Sequence, residues 1–482
     1  MNKFISLIIS LLISFTSWSQ YKLELNDVIL LAQEKSIDAK LAETRKENAF
    51  WSYRSFKSEY NPRLFLSGDL PGYNRDFNEN RLDDGQIQYQ TREQLQSQIS
   101  LALEQPIAFT GGEISINSNL RQFQDLNNSS TQWSSTLVNI RLNQPLFDFN
   151  QLKWDKKTEP MAYEESKRSY VEQMESVSQQ AVEYFFDYID QQIGLQIAEY
   201  NLGKNDTIYK IEEGRYNIGK ATEDDLLNVQ LQLLTSQGQI TQAELDLQQA
   251  SLDLRRFIGL TDTTKINLDL PEELPNFEIS LDEALHYAKK NRSDFIAFER
   301  RRLEAEREVA EAKASRFFAN LNASFGLNDA ASTLSDSYID PNDQQRFNVS
   351  LGLPILDWGR GKSRVKRAQA NQQLIQYSLQ QELQTFEQEI ITLVGRFEVM
   401  RKQIEIKKKG DEVAQKRYDV AQNRYLIGKT SITDLTLALE QKDNAKRAYV
   451  SALRDFWNSY YQLRRLTLYD FANDKLLYTI DE

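Results

Sequence analysis

Two hydrophobic periods take turns along this chain of 482 residues. Leu25, Val28, Ile29 and Ala32 recur at helical spacing behind Asn26-Asp27, and the pattern returns 256 positions later as Leu281, Ala284, Leu285 and Ala288 behind Asp282-Glu283. Apolar residues three and four apart share one face of a helix, so each half opens with an amphipathic helix, the first continuing to Tyr60. The period then drops to two. Ala319, Leu321, Ala323, Phe325 and Leu327 alternate with Asn320, Asn322, Ser324, Gly326 and Asn328; after a polar loop Phe347, Val349, Leu351 and Leu353 alternate with Asn348, Ser350 and Gly352. Successive side chains of a strand point to opposite faces, which gives an apolar face and a face of Asn, Ser and Gly. Each strand region ends in a proline, Pro145 in the first half and Pro354 in the second, 209 positions apart. Lacking an N–H, proline stops the ladder there and turns the chain toward the next helix.

Helical pattern resumes from about Pro160 to Tyr216 and from Glu223 to Ile258, then again from about Gly361 to Tyr425 and from Ile432 to Leu468. These arms carry narrow apolar stripes among Gln, Glu, Lys and Ala, as coiled coils do. At about 1.5 Å per residue the longer first arm reaches roughly 80 Å. Between the arms lies a repeated turn: Arg215-Tyr216-Asn217-Ile218-Gly219-Lys220 with Asp225-Leu226 beyond, and Arg424-Tyr425-Leu426-Ile427-Gly428-Lys429 with Asp434-Leu435 beyond. Glycine after a helical run, followed at once by Thr or Ser and an acidic residue, reads as a helix C-cap joined to the next N-cap. The tips of two helical hairpins therefore lie near 215–225 and 424–434, in a duplicated architecture. Because the opening helices are offset by 256 and the prolines and tips by 209, the first half carries 47 extra residues. That insert holds two more alternating runs, Leu95, Ile99, Leu101, Leu103 and Ile114, Ile116, Leu120, around a turn signal from Pro106 to Gly112: an added hairpin near 94–122.

The organisation that follows is residues 1–19 as a signal peptide, 20–270 as the first repeat, 271–280 as a linker with Pro271 and Pro275, and 281–482 as the second repeat. Lys3, the apolar run Phe4 to Phe15 and Ser17-Trp18-Ser19 suit export with cleavage before Gln20. No mature segment has the roughly 20 apolar residues of a membrane-crossing helix. In an exported chain the alternating strands fit a transmembrane barrel, lipid outside and water inside, provided several chains share it. With 58 basic and 70 acidic residues the net charge is -12, which argues against a nucleic-acid partner. The absence of cysteine removes disulfides, zinc-thiolate sites and thiol nucleophiles. With the single His286 expected to pack or face solvent, no catalytic, cofactor or metal constellation is recognisable, and the chain does not read as an enzyme.

In the order and duplication of these parts the chain resembles the TolC family of outer membrane efflux channels. The parts that carry the likeness are the Leu-x-x-Ala-Leu-x-x-Ala opening at Leu281–Ala288, the prolines Pro145 and Pro354, and the Tyr-x-x-Gly tips followed by Asp-Leu. The resemblance implies a mainly α fold with a membrane β-barrel: a homotrimer whose short barrel in the outer membrane continues into a long α-helical coiled-coil tunnel through the periplasm. Four strands per chain would give the family's twelve; the extra hairpin would raise this to eighteen. It also implies tips that dock a periplasmic adaptor, at Gly219, Lys220, Gly428 and Lys429, and a constriction near Asp225, Tyr425 and Asp434. Two departures stand out, Thr430 where some members carry a gate arginine and Leu437 where they carry a second acid, which leaves a single acidic ring. Such a ring of Asp434 carboxylates would favour cations and resist ionising all at once. The implied function is a passive efflux duct for small molecules, reached from an inner-membrane transporter through the adaptor. A type I protein-secretion duct shares the fold, and an exported coiled-coil scaffold without a pore is the reading from another class.

Overall fold

A computed structural model describes residues 21–260 and 266–478; the expected signal peptide lies outside them. In chain order the elements are β1 (Tyr21–Leu23), α1 (Leu25–Lys35), α2 (Ile37–Ser58), β2 (Arg63–Arg81), β3 (Ile87–Ile107), β4 (Gly112–Asp125), β5 (Ser130–Pro145), α3 (Gln151–Asn217), α4 (Glu223–Ile258), β6 (Ile266–Leu268), α5 (Leu281–Asn291), α6 (Ser293–Ala314), β7 (Phe318–Ala331), β8 (Asn342–Gly352), α7 (Arg360–Leu426), α8 (Ile432–Thr467), β9 (Tyr469–Asp470) and β10 (Lys475–Leu476). The chain divides into two compact units. One takes in the chain up to Lys46, Ser166–Phe295 and the chain from Leu383; the other is Glu47–Glu165 with Ile296–Glu382.

The second of these units holds an antiparallel six-stranded sheet in the order β2-β3-β4-β5-β7-β8. The inserted hairpin is β3 and β4, paired with each other in unbroken register and longer than the 94–122 the sequence marks, while each of its outer pairings, with β2 and with β5, carries one register shift. Leu64 and Leu66, then Ile99, Leu101 and Leu103, then Ile114, Ile116 and Leu120 share one face; Ile140, Leu142, Leu321, Phe325, Phe347 and Val349 continue it. This apolar band is uncovered, with Phe347 74% and Leu66 69% exposed. The other face carries Ser, Asn and Gln. In one chain the sheet is open, with β2 and β8 as free edges.

Strand β2 changes phase part-way. A bulge between Asp69 and Gly72 inserts one extra residue, so its band-side residues are even-numbered below it (Leu64, Leu66) and odd-numbered above it (Tyr73, Phe77). Strand β3 also outruns β4, whose pairing with it stops at Gln94↔Asp125. Asn127 still reaches the Thr91 carbonyl, but Ile87–Gln90 pair with β2 alone, leaving a two-stranded ribbon that turns at Leu82–Gln86.

The other unit is helical. Its core joins Val28, Ile29 and Ala32 of α1, Ala181, Phe185 and Ile189 of α3, Leu254 and Ile258 of α4, Ala284 and Ala288 of α5, Ile390 of α7, and Leu453, Phe456 and Leu463 of α8. The two openings, both read from the apolar period, pack into this one core. Each opening helix is two helices, not one. Ser36 and Arg292 adopt extended backbones (ψ 151 and 146), and Ser36 Oγ accepts the Ala39 amide at 3.1 Å, which restarts the helix. Strands β1 and β6 pair in parallel, three residues each, too short to show a period. His286 is exposed.

Helix α3 begins nine residues before the expected Pro160, which lies inside it. A proline there forfeits one helical hydrogen bond. The early turns are held from outside: Asn150 Oδ1 accepts the Lys153 amide at 3.0 Å, Tyr60 donates to the Leu152 carbonyl at 2.7 Å, and Arg307 lies 3.4 Å from Asp155. The same Asn150 donates through Nδ2 to the Ala108 carbonyl at 3.0 Å, which ties the β3–β4 turn to the helix start.

Candidate functional site

The two tips close α3 onto α4 and α7 onto α8 with the same backbone device. Gly219 and Gly428 have φ of 69° and 70°. Gly219 N donates to the Tyr216 carbonyl at 2.9 Å and Lys220 N to Arg215 at 2.8 Å; Gly428 and Lys429 make the same pair with Tyr425 and Arg424 at 2.9 and 2.8 Å. This is a Schellman stop, which wants a residue free to take a left-handed backbone. An added Cβ at either glycine would meet nothing within 4 Å, so the requirement is conformational. The apices Ile218-Gly219-Lys220 and Ile427-Gly428-Lys429 are exposed, the isoleucines at 67% and 65%.

Beyond each stop a hydroxyl residue, Thr222 or Ser431, caps the next helix, and the aspartate three positions on bonds back to it. Asp225 accepts from the Thr222 hydroxyl at 2.6 Å and the Thr222 amide at 3.1 Å, while Thr222 Oγ1 accepts the Asp225 amide at 3.2 Å: a reciprocal capping box. Asp434 accepts from Ser431 at 2.8 Å and from Thr430 at 3.1 Å. These hydrogen bonds stabilise the ionised form, so both carboxyls titrate below the usual aspartate value, Asp225 through Thr222 and Asp434 first through Ser431 and then Thr430. The upward shift expected of an Asp434 ring is thus opposed within the chain: Thr430, at the gate-arginine position, donates to Asp434. Asp434 is exposed and Asp225 half-buried.

Although the two tip sequences match, the structure uses them unequally. Tyr425 is buried, 3% exposed, while its repeat partner Tyr216 is 41% exposed. Arg215 sends Nη2 to the Tyr425 and Leu426 carbonyls at 2.9 and 3.1 Å, the last of α7, where a cation also suits the helix dipole. Its Nη1 lies 3.0 Å from Glu212, which accepts the Tyr425 hydroxyl at 2.6 Å. Burial and that hydrogen bond to Glu212 raise the Tyr425 phenol well above its ordinary value, so it remains a donor. Arg424 is exposed and makes no ion pair among the described residues. Ile208, Val229, Tyr418, Ile432, Leu435 and Ala438 pack with Tyr425. The expected constriction residue Tyr425 is therefore a bridge between the two tips of one chain. Glu212, its anchor, is the site residue that sequence reading missed: in the sequence it is only a Glu three positions before Arg215.

Comparison with known proteins covers nearly the whole chain. Residues 28–260 and 284–467 match the family described as Outer membrane efflux protein. Among solved structures the fold is similar to the Campylobacter jejuni CmeC outer membrane channel, at 17% identity and TM-score 0.65 over 95% of this chain and 87% of that one. It is also similar to the outer membrane protein VceC of Vibrio cholerae, at 15% and 0.61 over 92% and 95%, and to the open state of the Neisseria gonorrhoeae MtrE channel, at 16% and 0.59 over 92% and 88%. No curated protein sequence matches it.

Proposed function

Since the chain belongs to the outer membrane efflux protein family, we propose that it is the exit duct of a tripartite efflux system, a homotrimer that passes small molecules across the outer membrane. The observation that carries this reading is the six-stranded sheet with an uncovered apolar band, a polar opposite face and two free edges. No helix among the described residues is long and apolar enough to cross a membrane. In lipid an open sheet edge leaves unpaired N–H and C=O groups, a cost that closure removes. With six antiparallel strands, β2 and β8 run in opposite directions and can pair between copies; three chains give a barrel of eighteen strands. Lipid then meets the band and water meets the Asn and Ser face.

The exposed Ile-Gly-Lys apices suit docking of a periplasmic adaptor, and through it an inner-membrane pump. Asp225 and Asp434 stand at the mouth, where their caps keep them ionised. Passage through such a duct is passive, since it needs only a continuous wet lumen. Purified trimers in planar bilayers test the duct: discrete conductance steps are expected, and well-formed trimers that never conduct would sink the reading. The docking half is tested by Gly219→Phe with Gly428→Phe, against the Asn pair, which tolerates a left-handed backbone. Phe should abolish export while trimers still reach the membrane and Asn should not; normal export with Phe would remove the docking role.

A further inference from the structure

One rung on the polar face of the sheet differs from its neighbours. Following Cα partners from edge to edge, Arg63 on β2 stands opposite Glu104 on β3, Glu104 opposite Ser115 on β4, Ser115 opposite Arg141 on β5, Arg141 opposite Ser324 on β7, and Ser324 opposite Arg346 on β8. The rung above reads Asn117, Asn139, Gly326 and Gln344 on β4 to β8; the rung below reads Glu113, Asn143, Asn322 and Asn348. Arg63 is occupied, 2.6 Å from Glu104. Arg141 and Arg346 are exposed, and neither makes an ion pair among the described residues; Glu113 makes none either. Three rungs above, Arg121 and Asp69 offset each other on one level through Gln98. Arg141 and Arg346 are therefore the cations of this face that no carboxylate answers along their own rung between β5 and β8, with Glu113 the nearest acid, one rung below on β4.

We propose that Arg141 and Arg346, with Ser324 between them, bind the anionic groups of passing solutes, carboxylate, sulfate or phosphate. The inference rests on the duct reading, which makes this face the lumen wall. Neighbouring strands lie about 4.8 Å apart, so the two arginine Cα atoms stand about 10 Å apart with Ser324 at the midpoint. Both side chains can lean over it. A guanidinium presents a planar fork to two oxygens of an oxyanion, and the Ser324 hydroxyl adds a third donor. Two like charges with no carboxylate between them repel, and an anion seated there relieves that repulsion. The sign is opposite to that of the whole chain, at -12, and of Asp434 at the tips. The barrel thus holds a station for anions that net charge would not reveal.

The test uses single channels of the full-length protein, with inorganic pyrophosphate added to either side. At low salt, where the Debye length is about 30 Å, pyrophosphate on the barrel side should reduce the KCl current, and 1 M salt, at about 3 Å, should relieve the block. Arg141→Gln with Arg346→Gln should lose the block and shift the reversal potential in a KCl gradient toward cations. The Lys pair should keep the potential but weaken the block, because it keeps the charge and loses the fork. Asp434→Asn should leave the block intact. Open wild-type channels indifferent to pyrophosphate, or a block that survives in the Gln pair, overturn the rung while the duct stands. If the Gln pair does not insert, the wild-type titration decides. Trimers that never conduct remove the lumen, and with it the rung.

Discussion

Arg215 and Arg424 occupy equivalent positions of a repeat, yet one is half-buried against Glu212 and the α7 carbonyls and the other is exposed. Removing Arg215 leaves those carbonyls and the Glu212 carboxylate without their cation. Hydrogen bonds to charged groups contribute about 1.5–3 kcal/mol, so Arg215→Ala should lower local tip stability by about that much. Arg424→Ala should change it by less than about 0.5 kcal/mol, as an exposed substitution does. Hydrogen exchange at the Gly428 and Lys429 amides reads both; equal effects would mean that the tips are used alike. The turn itself was legible in sequence, because a Schellman stop and a capping box are local and carry fixed residue types. The bridge was not legible. Glu212 and Tyr425 are 213 positions apart, and nothing local says which of two identical tyrosines will turn inward.

The same contrast holds for the elements. Strands β7 and β8 were plain from alternation, since apolar residues recur at every second position from Ala319 to Leu327 and from Phe347 to Leu351. Strand β2 was not, because the bulge at Asp69–Gly72 shifts its phase by one residue, and above it amide and charged residues outnumber Tyr73 and Phe77. The inserted hairpin was expected near 94–122, while β3 continues back to Ile87 through Gln88, Gln94 and Gln96, where alternation fades. The long helices were legible from length and composition, but not the start of α3, which depends on Tyr60, Asn150 and Arg307 rather than on its own sequence. If the band faces lipid, charge placed in it costs about 2–4 kcal/mol near the midplane. Leu101→Arg should therefore reduce the yield of assembled protein in the membrane, while Ser100→Arg, on the opposite face of the same strand, should not. Equal yields, by membrane fractionation and native electrophoresis, would place β3 outside the bilayer.

For the molecule as a whole, duplication sets the plan and the insert breaks its symmetry. Both halves supply an opening pair of helices, two strands and a tipped hairpin, but only the first has β3 and β4, and with them the ribbon beyond the sheet. That ribbon is the least constrained part of the sheet. Ile87–Gln90 pair with one neighbour only, and Gly85 at the turn has φ 84° with nothing within 4 Å of an added Cβ. A lone two-stranded hairpin is marginally stable, so little of the fold depends on it. A short peptide inserted between Asp84 and Gly85 should leave assembly and conductance unchanged. The same peptide at Leu126–Ser129 should impair assembly, because Asn127 there bonds to Thr91 and Glu93; equal tolerance at both sites would refute the distinction. Substitutions in the ribbon have few neighbours to disturb, so selection for folding weighs lightly on it. In a lineage of such channels this is where sequence and length can diverge fastest.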